Sequence, residues 1–314
     1  MNLYMEGEIM KKFIYLLLII FAFINLGCKE ESQSSASESG NIINVLLPQT
    51  PSSLPVYLAL RDNPQFAIDF FINHSQANAK FLRGDAQLLL TGISVANSFS
   101  NQGLDFDLMS SQVNNLTHLI STKEIKNLSE IKNQTIVFPF ADSPMELLFT
   151  AIAEKNNLEK GQDYSVQYKS FDTSLQLLQQ GSNLLVWVPE PFASLAESKF
   201  QLKIGLSLDQ LFKDNLGDFN ASQVVLLSKD LDIKDVAGIN YLTKVYIDSL
   251  RSDPGKFLSY LPQDFPNRQA YTQETITRTS YFYLDGKNLS KSITNLYTLI
   301  NRKNYLAERI LDLN

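Results

Sequence analysis

The sequence predicts an α/β body of two lobes with a ligand cleft between them, and three observations carry that prediction. Short apolar strands alternate with helical segments through residue 199, the first half of the chain echoes the second twice, and small polar residues follow several strands. Residues 42–47, 66–72, 87–90, 135–138, 165–168 and 184–188 read as strands, and 54–60, 95–101, 145–156, 173–179 and 191–199 as helices. Alternation of this kind predicts mostly parallel sheets, because a helix has to carry the chain back between parallel strands. From Ile239 onward the pattern turns helical, with Tyr241, Val245, Ile247 and Leu250 on one face and Ile293, Leu296, Ile300, Tyr305 and Leu306 on another.

The echoes predict that the two lobes are built alike. FLRGDAQLLLTGISVANSF aligns with LLQQGSNLLVWVPEPFASL when Gly84 is laid on Gly181, and both read as helix, glycine stop, apolar strand, tight loop, helix. PQTPSSLP from Pro48 aligns with PFADSPME from Pro139 at nearly the same offset, so each half also opens on a strand, loop and helix. The expected lobes are 41–115 with 218–314, and 116–217.

The first forty residues are expected to export and tether this body. Lys11 and Lys12 precede an apolar run from Phe13 to Ile24 that ends in Asn25, Leu26, Gly27 and Cys28, the layout of a secretory signal. At about 12 residues the run is shorter than the roughly 20 that cross a bilayer. Residues 1–27 are therefore read as a signal peptide, with translation starting at Met10 because Glu6 and Glu8 do not suit a signal start. Cys28, the sole cysteine, stands at the expected cut, excludes a disulfide within one chain and is the expected lipidation site. From 28 to 40 the lipidated cysteine and the run KEESQSSASESG form a flexible tether.

A net charge of -6 with scattered lysines offers no basic stripe for phosphates, so nucleic-acid binding is not expected. His74 and His118 have no partners at metal-ligand spacing and read as ordinary surface or core residues, so neither a metal nor a cofactor is expected.

Ligands of open α/β sheets sit beyond the C-terminal strand ends, where helix N-termini expose backbone N–H groups. Four loops qualify. The first carries Thr50 with Ser52 and Ser53, and the second Thr91, Gly92 and Ser94, where glycine permits close backbone approach. The third carries Asp142 and Ser143 before Pro144, a cap followed by a first-turn proline. The fourth runs from Trp187 to Glu190. The plainer readings are that the hydroxyls and Asp142 only cap helices, that Trp187 belongs to a core, and that Glu190 merely favours a helix dipole.

NLSEIKNQTIVFPFADSPMELLFTAIAEKNNL and LQQGSNLLVWVPEPFASLA resemble the second lobe of solute-binding lipoproteins of nitrate/sulfonate/taurine-type ABC importers. LRGDAQLLLTGISVANSFSNQG and PSSLPVYLAL are similar to first-lobe stretches of the same family. The resemblance implies a type II periplasmic-binding-protein-like fold, a chain that crosses twice between lobes, and a small solute in the cleft. It also implies an ABC permease as partner and a lipid-anchored monomer on the outer face of a membrane. The chain departs from the Gly-rich loop of many members at Phe140, Ala141, Asp142 and Ser143. An enzyme on the same fold and a surface lipoprotein, adhesin or antigen, without a small ligand are the rival readings, and no nucleophile–base pairing supports the enzyme.

The two carboxylates predict the ligand's charge. With Asp142 capping its helix and Glu190 at the matching loop, an oxyanion would meet repulsion of roughly 4 kcal/mol per charge pair at 4 Å and an effective dielectric of 20. A neutral or cationic nitrogen compound such as a pyrimidine is expected over the family's sulfonate, nitrate or taurine.

Overall fold

In the computed structural model, residues 42–311 are described apart from Asn115, Pro262 and Asp264. The expected signal peptide, Cys28 and the whole of the tether to residue 40 therefore lie outside the described residues.

The chain opens with β1 (Ile43–Pro48), α1 (Leu54–Leu60), β2 (Phe66–Phe71), α2 (His74–Arg83), β3 (Leu88–Gly92), α3 (Ile93–Asn101) and β4 (Asp107–Val113). It crosses into β5 (Thr117–Ser121), β6 (Gln134–Phe138), α4 (Pro144–Lys155), β7 (Tyr164–Tyr168), α5 (Phe171–Gln179), β8 (Leu184–Pro189), α6 (Phe192–Phe200), β9 (Lys203–Ser207) and α7 (Leu208–Asn215). It then returns through β10 (Val224–Ser228), α8 (Ile233–Ser252), α9 (Pro254–Leu258), α10 (Gln273–Thr277), β11 (Tyr281–Leu284) and α11 (Gly286–Leu299).

Two sheets result, ordered β2-β1-β3-β10-β4-β11 and β7-β6-β8-β5-β9. The orders match place by place: β2 with β7, β1 with β6, β3 with β8, β10 with β5, and β4 with β9. In each sheet the strand entered on crossing between lobes lies fourth from the β2 or β7 edge and runs antiparallel to both neighbours. The fold is the expected two-lobed α/β type, but the expectation of mostly parallel sheets needs correction. Only β2-β1-β3 and β7-β6-β8 are parallel triplets. The strands that make the sheets mixed, β10 and β5, were both missed by sequence patterning, as was β4 beside β10: β5, with Thr117 and His118, is buried throughout, and so is β4 beyond Asp107, with Ser110, Ser111 and Gln112 at its centre, so polar residues concealed these two.

The paired glycines explain the echo. Gly84 and Gly181 both follow a helix in the left-handed region, at φ 82° and 87°, which a residue without Cβ adopts at little cost. They turn the chain directly into β3 and β8, whose apolar runs are covered on both faces.

The late helices differ from expectation in their faces. In α8, Ile247 and Leu250 are buried with Val236 and Ile239, whereas Tyr241 and Val245 are exposed. Tyr305 and Leu306 lie beyond the end of α11, although Leu306 is fully buried. Strand β11 interrupts the helical run.

Candidate functional site: a cleft at the strand ends

The loops after β1, β3, β6 and β8 converge on one cavity of about 110 Å³. Pro48, Thr50 and Ser52 come from the first loop, Thr91 and Gly92 from the second, Phe140, Ser143 and Pro144 from the third, and Pro189 from the fourth. Leu116, Thr117, Gln223 and Val224, where the chain crosses between sheets, form its back. His74, Val95, Met145 and Phe171 complete the wall.

The sequence-predicted residues divide between the cleft and its supports. Ser52, Thr91, Gly92 and Ser143 line it. Ser52 Oγ lies 2.7 Å from Thr50 Oγ1, so these two hydroxyls form a unit. Ser53 is buried and donates to the Pro48 carbonyl, bracing the loop away from the cavity. Ser94, half-buried in the first turn of α3, is not part of the wall. Trp187 is fully buried against Phe149, their ring centroids 5.6 Å apart. It sits two residues short of the strand end, so the pleat and the covering helix bring it into the core.

The two carboxylates are also placed away from the cavity, and this overturns the repulsion expected from them. Ser143, rather than Asp142, caps α4: its Oγ accepts from Glu146 N at 3.3 Å. Asp142 stands exposed at φ 57°, its carboxylate 3.4 Å from Arg302. Its backbone N–H donates to Glu146 Oε2 at 2.9 Å, and Glu146 is held in turn by Lys160 and the Tyr168 hydroxyl. Glu190 is fully buried behind the cleft, 3.0 Å from Arg278 Nε, and accepts from Ser194 N at 3.0 Å and Ser194 Oγ at 2.8 Å. Burial pushes its carboxyl up from the ordinary value, while Ser194 and Arg278 pull it back. Neither helix start therefore offers all its free donors to an anion, because Glu146 and Glu190 already occupy part of the amide-rich end.

None of the residues lining the cavity is Asp, Glu, Lys or Arg. Burial holds the His74 imidazole below its ordinary pKa. Its ring lies 5.1 Å from Phe71 and 6.3 Å from Phe140 across the cleft. The wall thus combines aromatic and apolar surface with uncharged polar groups.

Among the wall residues that sequence reasoning missed, three are instructive. His74 was dismissed for lack of sequence partners, yet it follows β2 directly, and that strand end was the loop left out of account. Phe171 occupies the corresponding place after β7. Gln223 precedes β10, whose run VVLLS was a legible strand signal in the part read as a helical return.

The lobes touch where Gly92 meets Pro144. A Cβ at position 92 would lie 2.7 Å from Pro144 Cγ, closer than such atoms approach. Gly92 itself has φ -73°, which any residue can adopt, so its absence of side chain serves the contact alone. Among the described residues no group of three or more His, Cys, Asp or Glu side chains is placed to hold a metal ion. No described helix is long and apolar enough to cross a membrane.

This is the fold of the two-lobed periplasmic solute-binding proteins. Solved structures similar to it include an ABC transporter from Parabacteroides distasonis, 16% identical over 87% of this chain and 97% of that one, with a TM-score of 0.67. A zinc-bound ligand-binding component of an ABC-type import system from Staphylococcus aureus is 15% identical over 86% and 99%, with a TM-score of 0.65. The periplasmic aliphatic sulphonate binding protein from Escherichia coli is 13% identical over 86% and 92%, with a TM-score of 0.62. No family model matches the chain, and no curated protein matches it significantly.

Gly92→Ala should wedge the cleft without disturbing the backbone. The radius of gyration from small-angle scattering is expected to exceed that of the wild type, and the added change Pro144→Ala should restore it. Equal radii for Gly92→Ala and wild type would show that the lobes do not meet at Gly92 in solution.

His118, behind the cleft on β5, is held down to about 4 by burial and then by the Arg278 charge. The unfolded chain takes up this proton near pH 6.5 and the folded chain does not until about 4, so folding stability falls as pH drops through that window. The loss attributable to this group amounts to roughly 3 kcal/mol at 1.36 kcal/mol per pH unit. Glu190, raised, works in the opposite direction. Denaturant melts of His118→Gln are expected to show a flatter acid limb than the wild type, and parallel limbs would refute the assignment.

Proposed function

We propose that this chain is the extracytoplasmic solute-binding component of an ABC importer, and that it captures a small uncharged molecule in its interlobe cleft. The observation that carries this reading is a cavity assembled by strand-end loops of both sheets, whose wall bears no Asp, Glu, Lys or Arg. The lobe division 41–115 with 218–314 against 116–217 is part of the proposal, supported by the sheet to which each strand belongs.

Size and polarity narrow the ligand. A cavity of about 110 Å³ is of the same order as the roughly 150 Å³ apolar cavity that accepts one benzene ring. It lies below the roughly 300 Å³ at which pockets for drug-sized molecules begin. One small ring of mixed polarity, such as a pyrimidine, suits such a space. With Asp142 at the surface and Glu190 tied to Arg278, no carboxylate favours a cation. With no Lys or Arg on the wall, nothing neutralises a sulfonate.

Calorimetric titration of residues 29–314 with uracil, cytosine, methanesulfonate, taurine and nitrate tests the reading. Binding of an uncharged ring in the micromolar range or tighter, with the anions inert, is expected. Micromolar binding of methanesulfonate or nitrate would overturn the ligand assignment.

The anchor and the permease complete the proposal: a diacylated Cys28 would hold the body near the membrane, and the tether would let it reach its partner. Cys28→Ser is expected to abolish incorporation of labelled fatty acid and to move the protein into the soluble fraction. Persistent membrane association of that variant would disprove the anchor.

A further inference from the structure

We infer that Gln223 is a specificity-determining residue of the cleft, which with Thr91 reads a hydrogen-bonding edge of an uncharged ring. The inference rests on the solute-binding reading above. Gln223 and Thr91 line the cavity at 6% and 2% exposure, and Gln223 Nε2 and Thr91 Oγ1 are buried without a hydrogen-bond partner. A buried polar group left unpaired costs about 1–3 kcal/mol, so its retention on a cavity wall calls for a reason.

The backbone that carries Gln223 is fixed with unusual redundancy. Ser222 stands at φ 46°, in the left-handed region that disfavours a residue with Cβ, and is fully buried. Its hydroxyl lies 2.6 Å from Ser292 Oγ, and Ser292 also donates to the Asn220 carbonyl. Ala221 N–H donates to Asn114 Oδ1, and the Gln223 carbonyl accepts from Ile93 N at 2.9 Å. Strain of this kind persists only where the surroundings over-determine it. Here four contacts from three parts of the chain fix the backbone of a single side chain whose amide nitrogen is buried without a partner.

The chemistry of the two groups defines the partner. A carboxamide offers two N–H donors and an acceptor, and the threonine hydroxyl can do either. Neither carries charge, so a carbonyl or ring nitrogen of an uncharged molecule meets them without the penalty of an unpaired ion. Phe140, Phe171 and Met145 of the opposite lobe supply the apolar face for the ring. Gln223 immediately precedes β10, at the back of the cavity, so the polar edge would be read there and the ring face against the opposite lobe.

Gln223→Leu separates this role from a structural one. In the ligand-free protein the change removes an unpartnered amide and should leave the melting temperature unchanged or raised. For uracil or cytosine, whichever the wild type binds, affinity should fall about 10-fold or more, as expected for losing hydrogen bonds whose counterpart then stays unpaired. A lowered melting temperature without ligand would show that the amide supports the fold, and unchanged affinity would show that it does not read the ring; either result overturns the inference while the solute-binding reading stands. If no uncharged ring binds the wild type, the ligand assignment falls and the inference with it.

Discussion

Asn114, in the short span between β4 and β5, bonds in two directions: its Nδ2 donates to Asp209 at the start of α7, and its Oδ1 accepts from Ala221 N just before β10. Its own N–H donates to the Ser280 carbonyl ahead of β11. The two places where the chain passes between sheets are thereby stitched side by side. This constraint organises the rest of the molecule, because strands entered from adjacent crossovers must sit at equivalent places in the two sheets. From it follow the matched strand orders, the facing of the four strand-end loops, and the position of Thr117 and Gln223 at the back of the cavity.

A cleft made this way collects helix N-termini, and such ends ordinarily attract anions. In this chain several of their donors are turned inward. Ser143 and Glu146 occupy the start of α4, Glu190 engages Ser194 in α6, and Pro144 removes a donor outright. The carboxylates so used are balanced by Lys160 and Arg278, neither of which lines the cavity. The charged groups thus stabilise the loops and leave the wall to hydroxyls, an amide and aromatic rings. The same loops meet directly at Gly92 and Pro144, where the missing side chain permits contact between lobes.

The strands β1, β2, β3, β6 and β8 were legible as largely apolar runs and β7, YSVQY, as an alternating one, and α1 coincides with its predicted span. The echo around Gly84 and Gly181 was equally legible, since a left-handed turn between helix and strand calls for glycine in both lobes. Strands β4, β5 and β9 were not legible. β4 and β5 carry Ser110, Gln112 and His118, polar residues that only burial between neighbouring strands explains, and β9, at the sheet edge, is a short half-buried run opening on Lys203.

By itself the sequence determined the layered α/β class, the doubling of the unit and the four loops that bound the cleft, because periodicity, glycine stops and helix caps are local properties. The tertiary structure alone decided which residues of those loops face the cavity. Asp142 and Glu190 meet Arg302 and Arg278, each supplied by a segment far along the chain, and those long-range pairs withdraw both carboxylates. His74 and Gln223 reach the wall for the complementary reason: the crossovers bring a β2 strand end and a return strand together, and no local pattern records a neighbour so distant in sequence.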